Sequence, residues 1–299
     1  MRKTSFLEKF AAVPHIIWIL LFVVAPLVFV AYFAFTDTYG NFTFDNISML
    51  SSYLHIFLLS VCFALIATAI CIIIGYPLAF FISQLKPQTQ KILVVLLMLP
   101  MWISLLIRTY SLMAILDNGG LLNSLLEQIG LAKVKIVGTS GAVILGMVYD
   151  FLPYMVLPIY TTLSKLDKRY FEAAADLGCS GTQSLFRVAF PLSLPGVVSG
   201  ITMVFVPSIS TFYISQKLGG GSFDLIGDTI ERHFQNVSTY NIGAAISLVM
   251  MILIIISVAI MNRLTDGNEG EGGIIVCKPC LKYIYRLYSC CFMRPYLLL

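Results

Sequence analysis

Apolar residues occur along the chain in six long blocks, separated by short polar gaps. A helix needs about 20 mostly apolar residues to cross a bilayer, and every block is long enough. The predicted spans are 14–36, 57–82, 91–116, 141–164, 190–217 and 242–262. The first block is longer than the apolar core of a typical signal peptide, and no clear small-residue cleavage motif follows it. The pattern therefore predicts an all-α membrane protein with six transmembrane helices.

The basic residues in the gaps predict which side of the membrane each gap faces, because cytoplasmic loops carry an excess of Lys and Arg. The gap 165–189 holds four basic residues, whereas 37–56 holds none and 218–241 holds one. This distribution predicts that both chain termini are cytoplasmic. The gap 117–140, with two lysines on the predicted outer side, fits the prediction least well.

Composition agrees with the pattern of blocks. Of the 299 residues, 59% are hydrophobic and 11% are charged, against roughly 25% charged in a soluble domain. The net charge of +4 comes from scattered residues, and nucleic-acid binding would need them gathered on one face. Nucleic acid is therefore not an expected partner.

The prolines and cysteines do not by themselves indicate a function. Proline bends a membrane helix, and neighbouring helices or a water-filled cavity must then satisfy the freed carbonyl groups. The prolines that interrupt several of the predicted spans include Pro77, Pro100, Pro153, Pro158, Pro195 and Pro207. The "CKPC" motif at Cys277 to Cys280 supplies half of a zinc site with no histidine nearby, so an incidental pair is favoured over a metal site.

The predicted cytoplasmic segment 165–190 has the pattern of a helix, a turn and a second helix. Asp167 is a good N-cap, and Glu172 lies near the helix start, where negative charge meets the positive end of the dipole. Ala173 and Ala174 leave a surface without bulk, and Gly178 provides a helix stop. From these residues alone, a solvated loop and a surface that another protein approaches closely both stay open.

The spacing within this segment resembles the EAA loop of ABC importer permeases. Glu-Ala-Ala from Glu172 is followed by three residues, Gly178, nine residues and then "VAFP", which ends at Pro191. In that family the loop forms a coupling helix that docks in a groove of the ATPase subunit. The coupling residues that the resemblance implies are Glu172, Ala173, Ala174, Gly178, Arg187 and Pro191.

Further stretches resemble the spermidine/putrescine permeases of ABC importers, over roughly residues 10–262. They are "IIGYPLAFFI", "LPMWISLLIRTYSLMAIL", "GMVYDFLPYMVLPIYTTLSKLD", "LGGGSFDLIGDTI" and "GAAISL". The resemblance implies a type I ABC importer permease in a bacterial inner or plasma membrane. Its implied partners are a second permease, an ATPase dimer and an extracellular or periplasmic polyamine-binding protein.

The domain layout follows from this resemblance. Residues 1–13 are a cytoplasmic N-terminus, 14–264 the permease domain with its coupling loop, and 265–299 a tail atypical of the family. The chain has no G-x-x-x-x-G-K-[ST] phosphate loop. We therefore expect that it binds no cofactor, is not an enzyme, and relies on ATP hydrolysed by a separate subunit.

A polyamine is a flexible polycation, so its path should offer carboxylates and aromatic faces for cation–π contact. The candidate pathway residues are Trp102, Tyr110, Tyr149, Asp150, Tyr154 and Tyr213. Packing or interface anchoring explains the aromatic residues as well. Pairing with Arg108 is an equal alternative for Asp150. The acids in 224–231, on the predicted outer side, either attract polycations or lie in a solvated loop.

Three alternatives remain at the level of sequence. An ABC permease for sulfate, iron or another cation shares the coupling motif. An intramembrane enzyme is disfavoured because the chain has no HExxH motif and its three histidines lie at or outside the span ends. A membrane scaffold without a transport role would fail to assemble with any ATPase.

Overall fold

The computed structural model describes residues 6–37, 39–167 and 169–266. Over these ranges the chain is built from helices, and the only β pairing is an isolated bridge between Thr36 and Phe42. The predicted all-α class is confirmed. The tail beyond residue 266, with its "CKPC" motif, lies outside the described residues.

The described residues up to Leu163 contain eight α-helices. They are α1 (Phe6–Ile19), α2 (Ala25–Ala34), α3 (Asp45–Ser48), α4 (Leu54–Gln84), α5 (Pro87–Met98), α6 (Leu105–Leu116), α7 (Leu121–Gln128) and α8 (Ser140–Leu163). A π-helical turn, Leu20–Val24, joins α1 to α2, and a 3₁₀ turn, Met49–Tyr53, joins α3 to α4.

The described residues from 169 to 266 add seven more helices. They are α9 (Arg169–Asp176), α10 (Gly181–Ser184), α11 (Phe190–Leu192), α12 (Leu194–Ser210), α13 (Tyr213–Leu218), α14 (Ile226–Gln235) and α15 (Tyr240–Asp266). A second π-helical turn, Leu185–Ala189, joins α10 to α11.

Within the part of the chain that the structure describes, four helical stretches are long and apolar enough to cross a membrane. They are Val13–Ala34, Asp45–Gln84, Ser140–Leu163 and Val237–Arg263. Each overlaps a predicted span, namely the first, second, fourth and sixth, although Asp45–Gln84 begins well before the predicted start at residue 57. These stretches have 18-residue windows with mean hydropathies of 1.8 to 2.9, which explains why their positions were readable from sequence.

The third and fifth predicted spans differ from the expectation of single helices. In place of 91–116, Pro87–Trp102 and Leu105–Gln128 meet at an angle of 93°. In place of 190–217, Leu185–Leu192 and Leu194–Ser210 meet at 70°, and α13 follows separately. The count reaches six if each bent pair crosses the membrane as one span.

The bends have local causes. At the first, Ile103 (φ −84°, ψ 138°) leaves the helical region, three residues after Pro100. At the second, Ser193 separates α11 from α12, and Pro195 lies in the first turn of the new helix, where a missing N–H costs nothing. Pro77, Pro153, Pro158 and Pro207 instead lie inside continuous helices, so a proline alone does not locate a break.

The core lies where α4, α8 and α12 pack together. Met155 of α8 is fully buried, and two glycines of the neighbouring helices let it approach. A Cβ on Gly75 would lie 3.1 Å from the Met155 Cγ, and one on Gly200 would lie 2.8 Å from its Sδ. Small residues at such contacts are what membrane helices use to pack closely.

The gaps between spans sort into two groups at opposite ends of the bundle. The Gly138 N–H donates to the Leu218 carbonyl (2.8 Å), and the Asn241 side chain donates to the Thr36 carbonyl (2.7 Å). These bonds gather the three gaps predicted to face outwards. The other end joins the two gaps predicted to be cytoplasmic, since the Tyr160 hydroxyl donates to Gln90 (3.1 Å) and the Phe80 and Phe171 rings touch. This grouping fits a chain whose successive spans cross the membrane in alternating directions. Which end of the bundle faces the cytoplasm stays a prediction.

Candidate functional site

The segment 165–190 folds as a helix, a turn and a second helix. The Asp167 carboxylate accepts the Arg169 N–H (3.0 Å) ahead of α9, and Glu172 lies in the first turn of that helix. Glu172 and Ala173 are exposed, whereas Ala174 is buried. The short side chains that give the segment its pattern therefore divide between an exposed face and a buried one.

Gly178 ends α9 in the left-handed region, with φ at +79°. The Gly178 N–H donates to the Ala175 carbonyl (2.9 Å), and the Cys179 N–H donates to the Ala174 carbonyl (3.0 Å). This is the Schellman arrangement, which favours glycine because a Cβ is strained there. No heavy atom lies within 4 Å of the position that a Cβ would take, so the backbone angle and not crowding requires the glycine.

The second helix of the segment begins with a capping box that the sequence analysis missed. Gln183 accepts the Ser180 N–H through its Oε1 (3.0 Å), and the Ser180 hydroxyl accepts the Gln183 N–H (3.4 Å). The S-x-x-Q spacing in "SGTQ" is the signal that could have found it. This box fixes where the chain resumes a helix after Gly178.

The outer face of this segment carries large apolar side chains. Leu177 and Phe186 are 76% and 67% exposed, and Arg187 beside them is also exposed. All three lie at the predicted cytoplasmic end. Leu177 is outside every candidate membrane span, whereas Phe186 and Arg187 lie in Leu185–Leu192, the short half of a bent pair. Apolar groups in such a position mark an interaction surface.

The same segment is firmly joined to the bundle. The Phe190 ring packs against Tyr76 of α4 with centroids 5.3 Å apart, and the Tyr76 hydroxyl bonds the Ser193 hydroxyl (2.9 Å). Ser193 is the break between α11 and α12, and Pro191 lies just before it. A push on the segment would therefore reach α4 and the bend of the fifth span.

The structure pairs Asp150 of α8 with Arg108 of α6. A guanidinium nitrogen lies 3.1 Å from the Asp150 Oδ1, and both side chains are buried. The Thr109 hydroxyl donates to the Oδ2 (3.4 Å), and Arg108 also donates to the Asp150 carbonyl (3.3 Å). Of the two alternatives for Asp150, this conformation displays the structural pairing, and a role along a substrate path stays a prediction.

The five aromatic candidates do not form a single cluster. Trp102, beside the first bend, and Tyr149 of α8 are exposed, and Tyr154 packs against Phe151. Tyr110 and Tyr213 do come together, with ring centroids 5.9 Å apart.

Tyr110 and Tyr213 already hold a cation. The Lys217 ammonium lies 5.2 Å from the Tyr110 centroid and 5.8 Å from the Tyr213 centroid. Both distances are within the range of cation–π attraction. The pair of rings is thus chemically suited to an alkylammonium group, and the chain's own lysine occupies it in this conformation.

The predicted outer loop folds into the polar helix α14. Its three acids differ in environment: Asp224 pairs with Arg232 (2.5 Å), Glu231 bonds Gln216 and Gln235, and Asp228 is buried. Among the described residues, no group of three or more His, Cys, Asp and Glu side chains is placed to hold a metal ion.

Residues 72–267 match the family described as "Binding-protein-dependent transport system inner membrane component". The chain belongs to this family. It is accordingly a multi-pass protein of a bacterial inner membrane and a transport component rather than an enzyme. The matched range begins in α4 and contains the segment 165–190 together with both bent spans.

Curated relatives cover most of the chain. It is 37% identical over 263 residues to the spermidine/putrescine transport system permease protein PotB of Salmonella typhimurium strain SL1344, across 85% of this chain and 92% of that protein. The identity to PotB of Escherichia coli K12 is 40% over 216 residues, across 71% and 78% of the two chains.

Solved structures show the same fold. A chain of a bacterial alginate ABC transporter, in complex with an alginate pentasaccharide-bound periplasmic protein, superposes with a TM-score of 0.71. It is 20% identical, and the match covers 88% of this chain and 96% of that one. A second alginate importer structure gives a TM-score of 0.69 at 19% identity, over 88% and 97% of the two chains. The predicted permease architecture is therefore confirmed at the level of fold.

Proposed function

We propose that this chain is a permease subunit of an ATP-driven importer of spermidine and putrescine. The observation that carries the proposal is the similarity to PotB proteins, which extends over 92% of the Salmonella protein's length. The Tyr110 and Tyr213 rings support the substrate class, because they accommodate an alkylammonium group in this conformation.

The chain would act with three kinds of partner. A second permease would complete the translocation path, an ATPase dimer would supply the energy, and an extracellular or periplasmic binding protein would deliver the polyamine. The exposed side chains of Leu177, Phe186 and Arg187 support the ATPase contact, since they leave an apolar surface with a charge beside it uncovered.

Coupling would run through the segment 165–190. Closure of the ATPase pair would displace α9 and the Gly178 turn, and the Phe190–Tyr76 contact would pass that motion to α4. The bend at Ser193 would change next, because its hydroxyl bonds Tyr76. Such rigid-body gating alternates access in many transporters.

Uptake of radiolabelled spermidine and putrescine tests the substrate class in cells that lack their own polyamine importers. The chain is expressed with its ATPase, second permease and binding protein, and excess unlabelled sulfate, iron or polyamine is added as competitor. We expect energy-dependent uptake that only polyamines suppress. If an assembled complex takes up neither polyamine but takes up labelled sulfate or iron in a parallel assay, the chain is a permease for another solute.

A further inference from the structure

The segment 165–190 reaches α4 at two points. One is the contact between Phe190 and Tyr76, through which coupling was derived above. The other lies at the opposite end of the segment, where the Phe171 ring of α9 packs edge-on against Phe80 with centroids 6.0 Å apart. Aromatic pairs in this arrangement stabilise a contact beyond the area that they bury. Each half of the segment therefore has its own aromatic attachment to α4.

The two receiving rings lie on one face of α4. Tyr76 and Phe80 are four residues apart, and helical residues at this spacing share a face. Tyr76 is buried and Phe80 half-buried, whereas the next residue, Phe81, is 61% exposed. Position along the helix, and not aromatic content alone, thus decides which rings meet the segment.

The spacing along α9 separates its attachment from its exposed face. Phe171 is half-buried and Ala174, three residues later, is buried, while Glu172 and Ala173 between them are exposed. Residues three apart share a helix face. A smaller side chain at position 171 would therefore remove the contact with α4 and leave the residues expected to meet the ATPase unaltered.

Pro77 lies between the two attachments. It stays inside α4, but it has no N–H to donate to the Ile73 carbonyl one turn earlier. A helix bends most easily where such a bond is missing. A push on Tyr76 alone would be partly absorbed by bending at Pro77. The part of α4 after the proline therefore needs an attachment of its own, and Phe80 provides it.

The end of α4 is tied to two further spans through one amide. The Gln90 Nε2 of α5 donates to the Ser83 carbonyl (2.9 Å) and to the Leu85 carbonyl (2.8 Å). The Gln90 Oε1 accepts the Tyr160 hydroxyl of α8 (3.1 Å). A displacement of Phe80 would accordingly reach the third and fourth spans, whereas the other attachment leads to the fifth.

We propose that Phe171 and Phe80 form a second transmission point, through which the segment 165–190 moves the end of α4 and the third and fourth spans with it. The proposal rests on the coupling role argued above for the segment and adds a route that does not pass through Tyr76. Both are positioning residues, since they would touch neither ATP nor polyamine. Without their contact the ATPase would still dock and hydrolyse ATP, but part of its motion would not reach the spans.

The number of substrate molecules moved per ATP hydrolysed tests this route, measured in liposomes that hold the complete complex and its binding protein. Phe80→Ala and Phe171→Ala each remove one ring, and we expect this ratio to fall by about tenfold, as for loss of one aromatic contact. Phe80→Tyr keeps the ring and should retain most of the ratio. Phe81→Ala removes an exposed ring from the same turn of α4 and should leave the ratio unchanged.

The double variant Phe80→Ala with Phe171→Ala shows whether both residues act through one contact. Its ratio should equal that of either single variant, because the second change has no contact left to remove. If Phe80→Ala does not assemble, Phe171→Ala carries the test, since α9 lies outside the candidate membrane spans. A lower thermal midpoint with an unchanged ratio per assembled complex would overturn the route, as would losses that multiply in the double variant.

The same measurement separates this route from the choice of substrate, because the ratio is taken with whichever solute the unaltered complex moves. A complex that moves another solute, and loses its ratio in the two single variants, contradicts the proposed function and supports the route. Normal polyamine transport per ATP in both single variants overturns the route alone. A complete complex that hydrolyses ATP and moves no solute overturns both.

Discussion

Replacing Gly178 with proline is expected to abolish coupled transport while leaving the membrane bundle intact. Gly178 has φ at +79°, whereas proline fixes φ near −65° and removes the N–H that bonds the Ala175 carbonyl. The distortion costs about 3 kcal/mol or more. This cost lowers the population of the segment conformation that can dock on the ATPase by about 100-fold. Polyamine uptake per assembled complex should fall accordingly, as measured with radiolabelled substrate.

Two control variants show whether the backbone angle is the cause. Gly178→Asn should retain most uptake, since asparagine tolerates the left-handed region better than other residues with a side chain. Gly181→Ala lies in the same segment with open space around it and no positive φ, and it should behave as the unaltered chain. Full uptake with Gly178→Pro at normal membrane levels would contradict the coupling role proposed for the segment.

Removing one partner of the Arg108–Asp150 pair is expected to destabilise the bundle strongly. Arg108→Met leaves the Asp150 carboxylate buried without its counter-ion, and breaking a buried pair in this way costs about 3–5 kcal/mol. The same holds for Asp150→Leu, which strands the guanidinium. The expected results are a lower thermal midpoint in detergent and less protein in the membrane.

The double variant Arg108→Met with Asp150→Leu separates the two roles left open for Asp150. Because it removes both charges together, it should recover most of the stability lost in either single variant. Recovered stability with normal uptake would assign the pair a structural role. Recovered stability without uptake would place the pair on the substrate path. A double variant as unstable as the singles would contradict the pairing itself.

The positions of the membrane helices were predictable because their apolar blocks are long and uninterrupted. Ser140–Leu163 and Val237–Arg263 match the predicted spans within a few residues. The bends were not predictable, because nine prolines lie in the predicted spans and only Pro100, Pro191 and Pro195 lie near a break. The others, such as Pro77 and Pro207, stay inside helices whose neighbours compensate for the missing hydrogen bond.

Within the site, local features were easier to predict than long-range contacts. The Gly178 stop and the acid at the start of α9 follow from capping rules that act over a few residues. The contacts of Lys217 with Tyr110 and of Tyr76 with Ser193 depend on how distant helices meet. No spacing along the chain encodes such contacts, although a Ser-x-x-Gln box at Ser180 was readable and was overlooked.

The central claim is most directly tested by reconstituting the purified complex in liposomes, with ATP enclosed on the ATPase side and the binding protein added outside. The expected result is accumulation of spermidine or putrescine inside the liposomes, with ATP hydrolysis that rises when the polyamine-loaded binding protein is added. ATP hydrolysis that responds to the binding protein without any movement of polyamine would contradict the assignment of this chain to a polyamine importer.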